Sequence, residues 1–98
     1  MAKYRISRKA AIDLDGIWAY TRDTWSEEQA IAYYNQIYQS IKVLSGLPDY
    51  LGKSYFDVRE GLWGYRVGHH IIFYRKAGDG TILVSRILYE KMDFPRHF

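Results

Sequence analysis

Four arginines lie among apolar residues in the second half of the chain: Arg59, Arg66, Arg75 and Arg86. Groups able to move a proton accompany them, namely His69, His70, His97, Glu90 and Tyr89. Together these types could cleave RNA. Attack by a 2′-hydroxyl needs a base, an acid and cations around the phosphate, and a guanidinium fork binds two phosphate oxygens at once. The types are present without a convergent spacing. On a nuclease reading, the expected set is Arg59, Arg86 and either Tyr89 or His97. The same arginines can instead form a cationic binding patch. As ordinary surface groups, Arg59 would pair with Asp57 or Glu60, and Arg75 and Arg86 would face solvent opposite the helices. The chain has no cysteine, which removes thiolate chemistry and a disulfide framework. His69 and His70 have no acid or cysteine cluster beside them, so a structural role is expected and neither a metal nor a cofactor is.

The elements that must carry these residues follow from periodicity. Lys3-Tyr4-Arg5-Ile6 alternates as a short strand, and Ser7 can cap a helix. In that helix Ala10, Leu14, Ile17, Trp18, Thr21 and Trp25 share one face, which predicts a buried stripe including both tryptophans. Gly16 lies inside it at a cost of about 1 kcal/mol relative to alanine, and close packing would be one reason. Ser26-Glu27-Glu28-Gln29 is a capping box that opens a second helix. Its stripe is Ala30, Tyr34, Ile37, Ile41 and Leu44, and Leu47-Pro48 ends it. The short connection predicts an antiparallel helical hairpin.

After Pro48 the pattern is that of strands. A loop is expected over Asp49–Ser54, with strands at Tyr55–Arg59, Leu62–Val67, His69–Lys76 and Thr81–Tyr89. Asp79-Gly80 is a turn signal. The expectation is an α+β fold: a short N-terminal strand, then a two-helix hairpin covering one face of an antiparallel sheet of three or four further strands. Trp63, beside glycines at a strand start, suits a core edge or a binding surface. Phe94 and Phe98 in the tail are poor residues to leave in water, so the tail folds back or docks on a partner.

With 98 residues, one domain over 1–98 is expected. Hydrophobic residues make up 48 %, enough for a core and against disorder. The net charge of +3 admits an acidic partner but is weak for gripping ribosomal RNA. The N-terminus lacks the apolar run of a signal peptide, and no segment approaches the roughly 20 apolar residues of a membrane span. A cytoplasmic protein is expected.

The ordered set Ala11-Ile12-Asp13-Leu14-Asp15-Gly16-Ile17-Trp18-Ala19-Tyr20, Gln29-Ala30 with Tyr33-Tyr34, Val58-Arg59-Glu60-Gly61-Leu62, His70 to Arg75, Arg86-Ile87-Leu88, and Met92-Asp93 with Arg96-His97 resembles the ParE branch of the RelE/ParE toxin superfamily. The resemblance runs along essentially the whole chain. The family usually has histidine after the Arg-Ile-Leu of the last strand, where this chain has Tyr89. The superfamily's ribosome-dependent mRNA nucleases commonly carry tyrosine or histidine near the C-terminus.

The resemblance implies a toxin of a bacterial type II toxin–antitoxin system, with growth arrest and plasmid stabilisation as its consequences. It implies inhibition of DNA gyrase by trapping the cleaved DNA complex, without catalytic residues. A RelE-like ribosome-dependent endoribonuclease is the alternative, and an inactive toxin-fold binding module a further one. The implied antitoxin has an N-terminal DNA-binding domain and a disordered C-terminal segment that folds onto the toxin. Neither a membrane nor direct sequence-specific nucleic-acid binding is expected. Residues expected to contact target or antitoxin are Arg59, Trp63, Arg75, Arg86, Met92, Asp93, Arg96 and His97.

Overall fold

The computed structural model describes residues 3–46 and 52–98. The expected helix end at Leu47-Pro48 and the loop over Asp49–Leu51 lie outside these residues. The order is β1 (Tyr4–Ile6), α1 (Arg8–Thr24), α2 (Glu27–Ser45), β2 (Lys53–Ser54), β3 (Trp63–Val67), β4 (His70–Lys76) and β5 (Ile82–Tyr89), with a C-terminal 3₁₀ turn at Phe94–His97. The sheet runs β1-β5-β4-β3-β2. Strands β2 to β5 are antiparallel as expected, whereas β1 joins β5 in parallel.

Both helices start at the serines that the sequence marks as caps. Ser7 Oγ accepts from Ala10 N at 3.0 Å, and Ser26 Oγ accepts from Gln29 N at 3.1 Å. The Ser7 hydroxyl also donates to Ser85 O at 2.8 Å, which ties the start of α1 to β5. Ala10, Leu14 and Ile17 of α1, with Ile37, Ile41 and Leu44 of α2, pack on Val67, Ile72, Tyr74, Ile82, Val84 and Ile87 of the sheet. The opposite face carries a second cluster of Leu62, Ile71, Phe73 and Leu88, covered by Tyr55, Val58, Phe94 and Phe98. The tail therefore folds back, and Phe94 and Phe98 stack edge-on against Phe73.

Three expectations are corrected. The strand expected over Tyr55–Arg59 is a turn, because Tyr55 O accepts from both Val58 N and Arg59 N. The strand preceding it is Lys53–Ser54 instead, within the expected loop. Trp25 is not core. The helix ends at Thr24, so Trp25 leaves the apolar stripe and stands 69 % exposed. Trp18 is half-buried.

Strand β1 spans three residues and pairs only with Ile82–Val84, so β5 beyond Val84 has an open edge. The register between β4 and β5 slips by one residue beside Phe73 and Tyr74, which sets Phe73 opposite Arg86 and Tyr74 opposite Val84. The extra residue, Ser85, is a bulge. It re-aims the rest of β5, so that Ile87 faces the helices and Leu88 faces the second cluster.

Gly16 does not serve close packing: a Cβ there would meet nothing within 4 Å. Gly16→Ala is therefore expected to stabilise the chain by about 1 kcal/mol. Its thermal midpoint should rise by about 4–8 °C, read by calorimetry.

Candidate functional site

A groove of about 950 Å³ opens between α1 and the far end of β5. Ile12, Gly16, Tyr20 and Trp25 form one wall, and Tyr89, Met92 and His97 lie across it. Ile12 is 61 % and Tyr20 68 % exposed, an unusual investment of apolar area in water at helical spacing. Gly16 sits between them and leaves the wall concave.

The inner end of the groove is polar, and Asp13 organises it. Its carboxylate accepts from Arg86 Nε at 2.8 Å and Nη2 at 2.9 Å. It also accepts from Ile87 N at 3.0 Å. That last bond satisfies the edge of β5 that the short β1 leaves open. Arg86 Nη1 donates to His97 O at 3.2 Å, so one guanidinium joins α1 to the tail. The Asp13 and Arg86 side chains are only 13 % and 17 % exposed. The fork onto Asp13 raises the Arg86 pKa against the opposing effect of burial. The expectation that Arg86 faces solvent opposite the helices is thereby corrected, since the bulge and the open edge turn it toward α1.

A second polar node lies beside it. Val67, Gly68, His69 and His70 form a tight hairpin turn, with Gly68 at φ 57° and Val67 paired with His70. A glycine at this first turn position is the usual choice where φ is positive. Tyr33 of α2 reads the turn: its hydroxyl donates to Val67 O at 3.0 Å, accepts from His69 N at 3.2 Å and contacts His70 Nδ1 at 2.7 Å. Outside the turn, Glu90 pairs with Arg66 and lies 3.6 Å from His69 Nδ1. The Tyr89 ring stands edge-on to His70 at 5.8 Å.

Burial pulls the His70 imidazole below its ordinary value, His69 adds to this, and Glu90 and Asp13 oppose it. Burial likewise raises the Tyr33 hydroxyl. For His70 the sign is unusual. Between its folded pKa and about 6.5 the unfolded chain binds more protons, so stability falls as pH drops through that window. Melting midpoints between about pH 7.5 and 5 should show this slope, and His70→Phe should remove the part that His70 contributes.

Of the expected contact residues, the structure brings Arg86, Met92 and His97 to the groove, and Tyr89 of the nuclease set lines it with them. Asp93 and Arg96 pair with each other at 3.3 Å on the exposed tail. Trp63 is half-buried on β3 and packs against Phe56 at 5.3 Å. Arg59 and Arg75 are exposed near the Gly61 turn, where a Cβ would lie 4.0 Å from Arg75 Nε. Arg59 makes no ion pair with Asp57 or Glu60 among the described residues. The nuclease set is thus split, with Arg59 outside the groove. The residues that sequence reasoning missed are Ile12, Asp13, Tyr20 and Tyr33. Ile12, Gly16 and Tyr20 do recur every four residues, a second stripe beside the buried one. Asp13 and Tyr33 carried no signal, since their partners are 73 and 34 residues away or more.

No group of three or more metal-ligating side chains occurs among the described residues. Nor is any helix among them long and apolar enough to cross a membrane.

Residues 4–94 match the family model of the ParE toxin of type II toxin-antitoxin system, parDE. The chain is 33 % identical over 96 residues to Toxin ParE1 of Mycobacterium tuberculosis H37Rv, spanning 98 % of this chain and 97 % of that one. It is 33 % identical over 97 residues to Toxin ParE1 of Caulobacter vibrioides, spanning 99 % and 98 %. Among solved structures, the chromosomal ParDE system of P. aeruginosa superposes with a TM-score of 0.77 at 24 % identity, over 91 % of this chain and 96 % of that one. The toxin-antitoxin complex RelBE2 of M. tuberculosis gives 0.60 at 21 %, over 90 % and 96 %. At those identities the two structures speak for a common fold.

Proposed function

Because the chain belongs to the ParE toxin family of type II toxin–antitoxin systems, we propose that it inhibits DNA gyrase by binding, stabilising gyrase's cleaved complex with DNA, and that a cognate antitoxin neutralises it. Growth arrest, and stabilisation of a plasmid carrying the pair, would follow from that activity. A poison of this kind needs no reaction of its own. It has only to bind one intermediate better than its neighbours.

The observation that carries this reading is the charge of the groove. Arg86 is the one lysine or arginine among the described residues that line it, and its fork is taken by Asp13. A phosphoryl site needs cations free to meet developing charge, and this groove offers no lysine or arginine in that state. It offers apolar area and hydrogen-bonding groups, which suit a peptide segment. The occupant proposed is the antitoxin's C-terminal segment, disordered before binding and acidic overall, against a chain of net charge +3. The antitoxin's N-terminal domain would bind DNA. The exposed tail, with Met92, Asp93, Arg96 and His97, and the Arg59, Trp63 and Arg75 side remain candidate contacts for gyrase or antitoxin.

A supercoiling and cleavage assay with purified gyrase, ATP and plasmid tests the reading. Loss of supercoiling with accumulation of cleaved DNA, reversed by the antitoxin, is expected. Unaffected gyrase together with mRNA cut on translating ribosomes would replace it with the endoribonuclease reading. Absence of both would leave a binding module.

A further inference from the structure

At the inner end of the groove one nitrogen has a chemical state that its neighbours dictate. Val67 O can only accept, so the single proton of the Tyr33 hydroxyl points to it across 3.0 Å. The Tyr33 oxygen is then left to accept, and it already does so from His69 N. His70 Nδ1, 2.7 Å from the same oxygen, must carry a hydrogen to make that contact favourable. In a neutral imidazole the other nitrogen, Nε2, is then unprotonated and an acceptor. His70 lines the groove, and no buried side-chain nitrogen or oxygen lacks a partner among the described residues. Nε2, which has no partner among them, is therefore accessible on a side chain that lines the groove.

We propose that His70 Nε2 is a hydrogen-bond acceptor subsite in the groove, held in that state by Tyr33, and that it takes an uncharged N–H or O–H donor, amide or hydroxyl, from the segment seated there. The subsite deepens the reading of the groove as the antitoxin's seat and rests on it. Between the apolar side chains of Ile12 and Tyr20 on one wall and Met92 across from them, one oriented acceptor fixes the register of a peptide that apolar contacts alone would let slide. A donor that loses this partner on binding is left buried and unsatisfied, which is how a single polar group discriminates between similar segments.

The subsite is also proton-sensitive. Protonation turns Nε2 into a donor that faces the partner's donor. The groups around it are Tyr33 from α2, Asp13 from α1, Tyr89 from β5, and His69 with Glu90 and its partner Arg66 at the hairpin end. Arg86 and His97 also line the groove. His69 and His97 are also histidines of the groove lining, so the readout is the difference between the chain and a variant lacking His70 only.

The first test uses the chain alone at neutral pH. A long-range proton–nitrogen correlation spectrum should show His70 protonated at Nδ1 and bare at Nε2. Tyr33→Phe should return it to a mixture of tautomers or to the Nε2–H form. A wild-type His70 protonated at Nε2 overturns the proposal. The second test uses the complex with the cognate antitoxin. His70→Phe should weaken binding about tenfold, corresponding to one hydrogen bond to a buried donor. Tyr33→Phe should weaken it too, and the double variant by less than the product of the two. The difference in affinity between wild type and His70→Phe should vanish on acidification. If His70→Phe binds as wild type does while Ile12→Lys does not, the subsite is wrong and the groove reading stands. If both bind as wild type does, the groove reading itself fails.

Discussion

Asp13→Ala should cost this fold about 3 kcal/mol, the range for removing one partner of a largely buried ion pair. For a chain of this size the melting midpoint then falls by roughly 12–24 °C. The size of the effect comes from three donors losing one acceptor. Arg86 Nε and Nη2 and Ile87 N all converge on the Asp13 carboxylate. Water can replace it only in part, because both side chains are mostly covered. Arg86 would keep its bond to His97 O, and its charge would stay where it is. Asp13→Asn should cost less but not be neutral, since an amide offers one acceptor oxygen where three donors point. Amide exchange localises the loss: Ile87 N–H should exchange faster in Asp13→Ala than the β4 amides bonded within the sheet. A midpoint within about 3 °C of wild type would show the clamp to be incidental.

Ile12→Lys combined with Tyr20→Lys should leave the fold intact and reduce antitoxin affinity by about a hundredfold to a thousandfold. Both side chains are mostly in water, so their replacement removes little buried area and the melting midpoint should hold within a few degrees. In the complex each would be an apolar anchor, and truncating an anchor of that kind costs about 2 kcal/mol or more. At 1.4 kcal/mol per tenfold, two such losses reach the stated range. The lysines add a penalty of their own, because burying an unpaired ammonium in an apolar groove is worse than leaving it empty. Calorimetric titration of the variant reads the affinity. Unchanged affinity in a folded variant would move the antitoxin to another face, the Arg59 and Arg75 side being next.

The ParE resemblance and the order of elements were readable from the chain, for local reasons. Ser7 and Ser26 cap their helices through bonds that span three residues. Leu14 with Ile17, and Ile37 with Ile41 and Leu44, repeat at the period of a helix with one buried side. Trp25 was misread because period alone does not say where a helix stops. It extends the stripe of α1 in sequence but sits one residue beyond the last helical turn. Tyr55–Arg59 was misread for a related reason: aromatic and β-branched residues suit a strand, yet here Tyr55 and Val58 cover the second face of the sheet from a turn.

The candidate site was half visible. Arg86, Tyr89, Met92 and His97 were named from type and resemblance, and they do meet. Their roles were not visible, because each depends on a partner brought from elsewhere. Composition and period point to the helices, the later strands and most of the buried stripes, since those preferences act within a few positions along the chain. Pairing across the fold is another matter. Only after the three-residue β1 leaves the β5 edge open, and a bulge at Ser85 turns the strand, does Asp13 become the acceptor for Ile87 N and the counter-charge of Arg86. Only after α2 crosses the β3–β4 hairpin does Tyr33 reach His70. The sequence supplied the arginine and the histidine. The folded chain neutralised the first and left the second with one nitrogen accessible on a side chain that lines the groove.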